Sequence, residues 1–297
     1  MLLKTHASLD CILEHTAREK YGMDRSNVDK AAREYHNAAY WSSIHSRFRG
    51  SLDAVGYAGY GEPFNRETYK LRLKALNHVL RRAQAPQSGT LLEAAVGVGA
   101  YAPLWQELGL SWTGIDIAES AINDLRKRFP HDRFVTADLT VNCGTLSSEV
   151  FDVVTAIDVL YHIIDEGSFV RAIKNLAERV KPGGLLVISD VFPREAYQRV
   201  PHVKRRPLRT YATALPGFTI VAREPVFAVL GDPIRHGSII DFALFTVWRF
   251  VSKTARTLPG AGGVVVRALV PLDAALRFTG ISRGRNLELV AFRRVAD

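Results

Sequence analysis

The sequence predicts an α/β fold: a mostly parallel sheet with helices on both faces, a helical segment before it and a helical insertion near its end. Three observations lead there. From Thr90 onward, short apolar runs alternate with helix-periodic stretches, the pattern of strands joined by helical crossovers. The apolar run that holds Leu91 and Leu92 passes into a glycine turn, Gly97-Val98-Gly99, and the next strand ends in an acid, Asp116. The chain's 297 residues suffice for one large α/β domain with an appendage, or for two small domains.

In chain order, Ser26 to about Arg47 reads as a helix. Ala31, Ala32, Tyr35, Ala38 and Ala39 recur at helical spacing, and Ser26 with Asp29 forms a candidate capping pair. Gly50 to Pro63 is rich in glycine and tyrosine and reads as a joint, so residues 1–64 form a helical cap on a main domain at 65–297. Asn65 to Arg82 returns to helical spacing through Tyr69, Leu73, Leu76 and Leu80. Strands follow at 90–95, 112–116, 133–137, 151–156 and 184–190, with helices starting near Tyr101, Glu119 and Glu166. Lys181-Pro182-Gly183-Gly184 ends the last of these helices. Phe218–Leu230 and Asn286–Val295 read as two more strands, which brings the sheet to seven. The connection between them, about 231–285, is long for neighbouring strands and has structure of its own. Within it Ser238–Leu258 reads as a helix whose wide apolar face leaves a polar stripe of Thr246, Arg249, Lys253 and Arg256.

Composition bounds the class. Hydrophobic content of 47% and charged content of 23% are ordinary globular values. Cys11 and Cys143 alone give no disulfide framework, and a reduced, cytoplasmic state is the simpler expectation. The first residues lack the apolar core of a signal peptide, and no uninterrupted apolar run is long enough to span a bilayer. The net charge of +9 favours acidic partners: nucleic acid, an anionic membrane or a phosphorylated molecule.

The glycine turn carries the chemistry. Glycines let backbone approach a ligand closely, and an acid ending the following strand can accept both hydroxyls of a ribose. Glu93 is the unusual residue. A carboxylate beside the glycine loop repels a pyrophosphate but suits a cofactor that carries an ammonium and a sulfonium. Gly97-Val98-Gly99-Ala100-Tyr101-Ala102 also fits a dinucleotide fingerprint, so an NAD-dependent oxidoreductase stands as an alternative.

Together, Leu91–Gly99, Gly114–Asp116, Phe134–Asp138, Phe151–His162 and Lys181–Asp190 resemble the class I S-adenosylmethionine-dependent methyltransferases, in particular the small-molecule group of the ubiquinone-biosynthesis type. The resemblance covers roughly Asn65 to Val229 and the final strand. It implies a Rossmann-like, doubly wound sheet with an antiparallel last strand, and S-adenosyl-L-methionine as cofactor. Carried over by position, Glu93 faces the methionine amino group, and Ala95, Gly97 and Gly99 form the floor beneath methionine and ribose. Asp116 with Ile117 takes the ribose, Asp138 with Leu139 the adenine edge, and Ile157 with Asp158 borders the methionine. Where the family has its first glycine this chain has Ala95, tolerable if its φ stays negative.

The same resemblance implies methyl transfer to a small-molecule or glycan-type acceptor, with a hydroxyl oxygen as the expected target. His162 is the candidate base for its proton; hydrogen bonding to a loop carbonyl is the plainer role for that histidine. Tyr161 and Asp190 are further pocket candidates. Relatives that bind a metal here have an acid where this chain has Tyr161, so no metal is expected. A nucleic-acid target is disfavoured, because Ile157-Asp158-Val159-Leu160 lacks the proline turn of base-methylating enzymes. Arg194, Arg199, His202, Lys204, Arg205, Arg206 and Arg209 crowd one loop that commonly covers the acceptor. Arg205 and Arg206 are therefore candidate binders of an anionic or lipid-linked acceptor, the alternative being a solvated basic loop. The inserted helix, with Phe242, Leu244, Phe245, Trp248 and Phe250, has three readings: burial against the domain, a lid, or peripheral membrane contact. A cofactor-binding protein without turnover is the alternative to an enzyme.

Overall fold

The computed structural model describes residues 37–141, 146, 148–234, 238–258 and 260–296, with no side chain described for Arg199. The predicted Ser26–Asp29 cap and both cysteines lie outside the described residues. Two helices come first, α1 (Asn37–Arg47) and α2 (Glu62–Arg82). The alternating segment follows: β1 (Gly89–Ala94), α3 (Ala102–Glu107), β2 (Leu110–Asp116), α4 (Glu119–Arg128), β3 (Arg133–Thr136), β4 (Phe151–Ala156), α5 (Glu166–Glu178) and β5 (Val180–Asp190). A small hairpin, β6 (Tyr197–Val200) and β7 (Val203–Arg205), leads through α6 (Leu208–Ala214) to β8 (Phe218–Pro225). Helices α7 (Ile239–Thr257) and α8 (Ala261–Phe278) precede β9 (Glu288–Arg294).

The main sheet has seven strands in the order β3-β2-β1-β4-β5-β9-β8. Strands β1 to β5 run parallel, and β9 inserts antiparallel between β5 and β8. Its central strands are apolar on both faces, as a doubly covered parallel sheet requires: Leu91, Leu92, Val153, Val154 and Leu185 to Ile188 are all fully buried. One face packs on α2, α3 and the insertion through Leu76, Trp105, Trp248 and Val251. The other packs on α5 and α6 through Phe169, Ile173 and Tyr211. Strand order reverses between β1 and β4, and a crevice at the carboxyl ends of these strands is where such sheets bind ligands.

Three regions differ from expectation for identifiable reasons. The apolar run after Pro225 stays buried but leaves the sheet, because the amides of Ala228, Val229 and Leu230 all donate to Oδ1 of buried Asp273 (2.8, 2.8 and 3.1 Å). The second inserted helix, α8, hides its signal behind Gly262, Gly263 and Pro271. Those glycines permit close packing: a Cβ at Gly262 would sit 3.0 Å from Phe64 Cβ, and one at Gly263 3.0 Å from the Pro63 carbonyl. The predicted polar stripe of α7 is an outward face that also exposes Ile239, Phe242 and Phe250, while Leu244, Phe245 and Trp248 are buried. Ser238 and Asp241 cap this helix reciprocally. No helix among the described residues is long and apolar enough to cross a membrane.

Candidate functional site

The site begins where β1 runs out. Glu93 is buried, its Oε2 accepts from Trp105 Nε1 of α3 at 2.7 Å, and burial pushes its carboxyl up to about 8 against that bond. The chain then turns through Ala95 (φ 57°), Gly97 (φ 53°) and Gly99 (φ 70°), all left-handed. Ala95 thus departs from the expectation of a negative φ: the turn forces an alanine into a region that costs L-residues roughly 1–2 kcal/mol. At Gly97 a Cβ would lie 2.5 Å from Val55 Cγ1, so the position admits nothing larger. Gly99 does not line the cavity. It packs behind the loop, where a Cβ would meet Leu125 Cδ2 at 2.7 Å.

Asp116, at the end of β2, holds this loop. Its Oδ2 accepts from Gly97 N and its Oδ1 from Ala118 N, both at 2.9 Å. Burial raises its pKa, opposed by the Ala118 amide and by His45 of α1. His45 in turn is lowered by burial, with the Asp116 charge acting the other way. Beside them opens a cavity. Glu93, Ala95, Gly97, Asp116, Ile117, Asp138, Leu139, Ile157 and Asp158 all line it, as does His162. Asp138 Oδ1 also accepts from Thr140 N and Oγ1, both at 2.8 Å, so it ties down the following turn while facing the cavity.

The sequence reading missed the residues that α1 and α2 bring. Trp41, His45 and Tyr69 close the cavity from that side. The Tyr101 hydroxyl, also lining it, is buried with no protein partner. Arg72 of α2 is buried and donates from Nε to Asp158 Oδ2 at 2.9 Å, while its Nη1 has no partner. Asp158 is itself left-handed (φ 56°) and is fixed by Ser189, whose Oγ donates to Oδ1 at 2.8 Å. No periodicity marks Arg72; its position on a buried helical face shows only once α2 is packed.

A second chamber adjoins the first and shares Trp41, Val55, Asp158 and His162 with it. Its walls are aromatic, with Tyr40, Tyr57, Tyr60, Tyr161 and Tyr197 beside the cations Arg72, Arg205 and Arg256. His162 stands at the junction. Its Nδ1 lies 2.8 Å from the His202 carbonyl, which can only accept, so Nδ1 carries the proton and Nε2 keeps its lone pair. Burial first, and then neighbouring His202, hold it well below its ordinary pKa, and the ring is neutral at pH 7.

The basic loop is less open than its composition implies. Arg205 lines the second chamber, lies 3.8 Å from the Tyr161 ring centroid and donates to Asp190 Oδ1 at 2.8 Å. Asp190 is fully buried and lines neither chamber; it accepts from Arg205, Tyr211 and the Val191 amide, and so anchors a wall. Arg206 is likewise corrected to a structural position. It is 1% exposed, pairs with Glu166 at 3.0 Å and donates to the carbonyls of Ile163 and Ile164. Lys204 pairs with Glu166 and Arg209 with Glu195. Among the described residues no group of three or more His, Cys, Asp and Glu side chains could hold a metal ion.

Comparison with known proteins adds the family. A family model described as a methyltransferase domain matches residues 65–216, about half the chain. The mitochondrial ubiquinone biosynthesis O-methyltransferase of Schizosaccharomyces pombe is 29% identical over 124 residues, 40% of this chain and 44% of that protein. Nodulation protein S of Rhizobium tropici is 32% identical over 137 residues, 44% and 52% of the two chains. The chain spans about half the length of these curated relatives. Among solved structures, the N-methyltransferase NodS of Bradyrhizobium japonicum in complex with S-adenosyl-l-homocysteine aligns with a TM-score of 0.46 at 18% identity, covering 78% of this chain and 88% of that one.

Proposed function

The chain belongs to the methyltransferase-domain family, and from that premise we propose that it binds S-adenosyl-L-methionine in the first cavity and methylates a hydroxyl oxygen of an acceptor held in the second. The observation that supports the reading best is the junction: one neutral imidazole, with its free Nε2 lone pair, borders both chambers. The residues present suit the cofactor. Glu93 offers a buried acid to an ammonium, and Asp116 keeps lone pairs for ribose hydroxyls beyond the two amides it already holds. The unpartnered Tyr101 hydroxyl and Arg72 Nη1 are donors for a carboxylate between the chambers. Bound there, the cofactor supplies a methyl group on a positively charged sulfur.

The protein's own work is then alignment, exclusion of water and removal of a proton. His162 Nε2 accepts the proton of the acceptor hydroxyl, and the His202 carbonyl holds the ring in the tautomer that permits this. The aromatic walls suit a small ring-bearing or glycan-type acceptor, and Arg205, whose Nη1 is held by Asp190, is the loop cation that lines this chamber and can reach such an acceptor by direct contact. The test pairs calorimetry using S-adenosylhomocysteine with a tritiated-methyl assay over pools of hydroxylated acceptors. His162→Gln should keep cofactor affinity and lower kcat about 10²–10⁴-fold. Binding without transfer to any pool would favour a cofactor-binding protein without turnover.

A further inference from the structure

We propose that the outward face of α7 docks this protein on an anionic lipid bilayer. On that helix Ile239, Phe242, Arg249, Phe250 and Lys253 fall within roughly 100° of one another at about 100° per residue and share one exposed side. Ile239, Phe242 and Phe250 are 85%, 71% and 65% exposed, although Ile and Phe are among the residues most often buried in soluble proteins. Charge selects the occupant. Between Ser238 and Leu287 the sequence has seven Arg and Lys residues but only two acids, Asp241 and Asp273. Both acids are buried, Asp241 paired with Arg285 and Asp273 with Arg277. The outward face is therefore apolar and cationic with no exposed acid, the composition of a helix that lies in the plane of an interface. The opposite side of α7 is locked to the domain by Trp248, Val251 and Ala255 and by the 2.7 Å bond between Tyr60 and Ser252. Near its end Arg256 also lines the second chamber, so one helix joins the docking face to that chamber.

Vesicle co-sedimentation of the full chain tests this, with phosphatidylcholine alone against phosphatidylcholine mixed with phosphatidylglycerol. The expected result is binding to the anionic vesicles only, weakened by raised salt. The double charge reversal Arg249→Glu with Lys253→Glu should lower partitioning at least about 30-fold. Phe242→Ser with Phe250→Ser should lower it about tenfold or more without added salt. All four positions are exposed, so both variants should retain the wild-type affinity for S-adenosylhomocysteine, and that readout is independent of any acceptor. Absence of vesicle binding, or binding that ignores lipid charge and both double variants, overturns the proposal. So does a self-associated wild type that Phe242→Ser with Phe250→Ser converts to monomers, because the face would then be covered by a second copy.

Discussion

Replacing Glu93 with Gln should remove a pH dependence from both folding stability and cofactor binding. Burial holds the Glu93 carboxyl at about 8 instead of the ordinary 4.5. At 1.36 kcal/mol per pH unit that interval amounts to about 5 kcal/mol between the protonated and ionised protein, an upper figure because a buried site relaxes on ionisation. The folded chain keeps the proton that the unfolded chain releases above 4.5. The contribution is therefore fully present below pH 4.5, and it is lost at up to about 1.4 kcal/mol per pH unit as pH rises toward 8. Gln keeps the acceptor for Trp105 Nε1 and titrates in neither state. The variant should match the wild type near pH 4.5 and exceed its stability by several kcal/mol at pH 8, read from urea titrations at several pH values. An ammonium entering beside Glu93 demands the carboxylate instead. Wild-type affinity for S-adenosylhomocysteine should rise with pH by up to about tenfold per unit and level off above 8. Calorimetry in buffers of different ionisation heat should then count up to one more proton released at pH 7 by the wild type than by Glu93→Gln. Protons from the ligand's own amine and from His45 appear in both proteins, so the difference reports Glu93 alone. Equal proton counts and parallel pH curves would refute the reasoning.

Ala95→Gly should stabilise the chain by about 0.5–1 kcal/mol, the left-handed strain relieved less the extra freedom glycine has when unfolded; an unchanged or lower denaturation midpoint would count against the strained turn. Arg206→Ala should destabilise by roughly 3 kcal/mol, since it strips Glu166 and two loop carbonyls of a buried partner, and should leave acceptor KM unchanged once the domain is folded. A raised KM with unchanged stability would return Arg206 to the acceptor site. Asp273→Ala should cost about 3 kcal/mol or more, because three buried amides lose their shared acceptor, and amide hydrogen exchange at Ala228 to Leu230 should rise correspondingly.

The legible parts of this chain are those where backbone geometry and chemistry coincide in a short stretch. Leu91 and Leu92 had to be buried in a central strand, Gly97 had to lack a Cβ, and Asp116 had to end the strand that flanks β1. Each requirement is local, and the residues carried over for the cofactor, Gly99 excepted, line one cavity. Parts whose meaning depends on distant partners were not legible. Arg72 reads as one cation on an amphipathic helix until Asp158, 86 residues away, meets it. Arg206 and Asp190 looked like substrate residues because the sequence shows their charge and not their partners, Glu166, Arg205 and Tyr211. Ala95 shows the reverse case: the residue type was visible, but its left-handed φ follows from the loop that Asp116 ties down.

The same contrast decides where the net charge of +9 can act. A cation that pairs with an acid at hydrogen-bond distance has little field left for a partner several ångströms away, because the pair looks like a dipole from outside. The loop from Arg194 to Arg209 holds a dense run of cations, yet Lys204 and Arg206 share Glu166, Arg205 faces Asp190 and Arg209 faces Glu195. The insertion has fewer cations per residue but only two acids, each buried beneath its own arginine, which leaves Arg249 and Lys253 exposed with no acid on their face. An attraction for negatively charged surfaces should therefore follow the α7 face more than the loop. Replacing Arg209 and Glu195 together with Ala, which removes a cation along with the acid it faces, should leave binding to anionic vesicles almost unaltered, whereas Lys253→Ala should weaken it about fivefold.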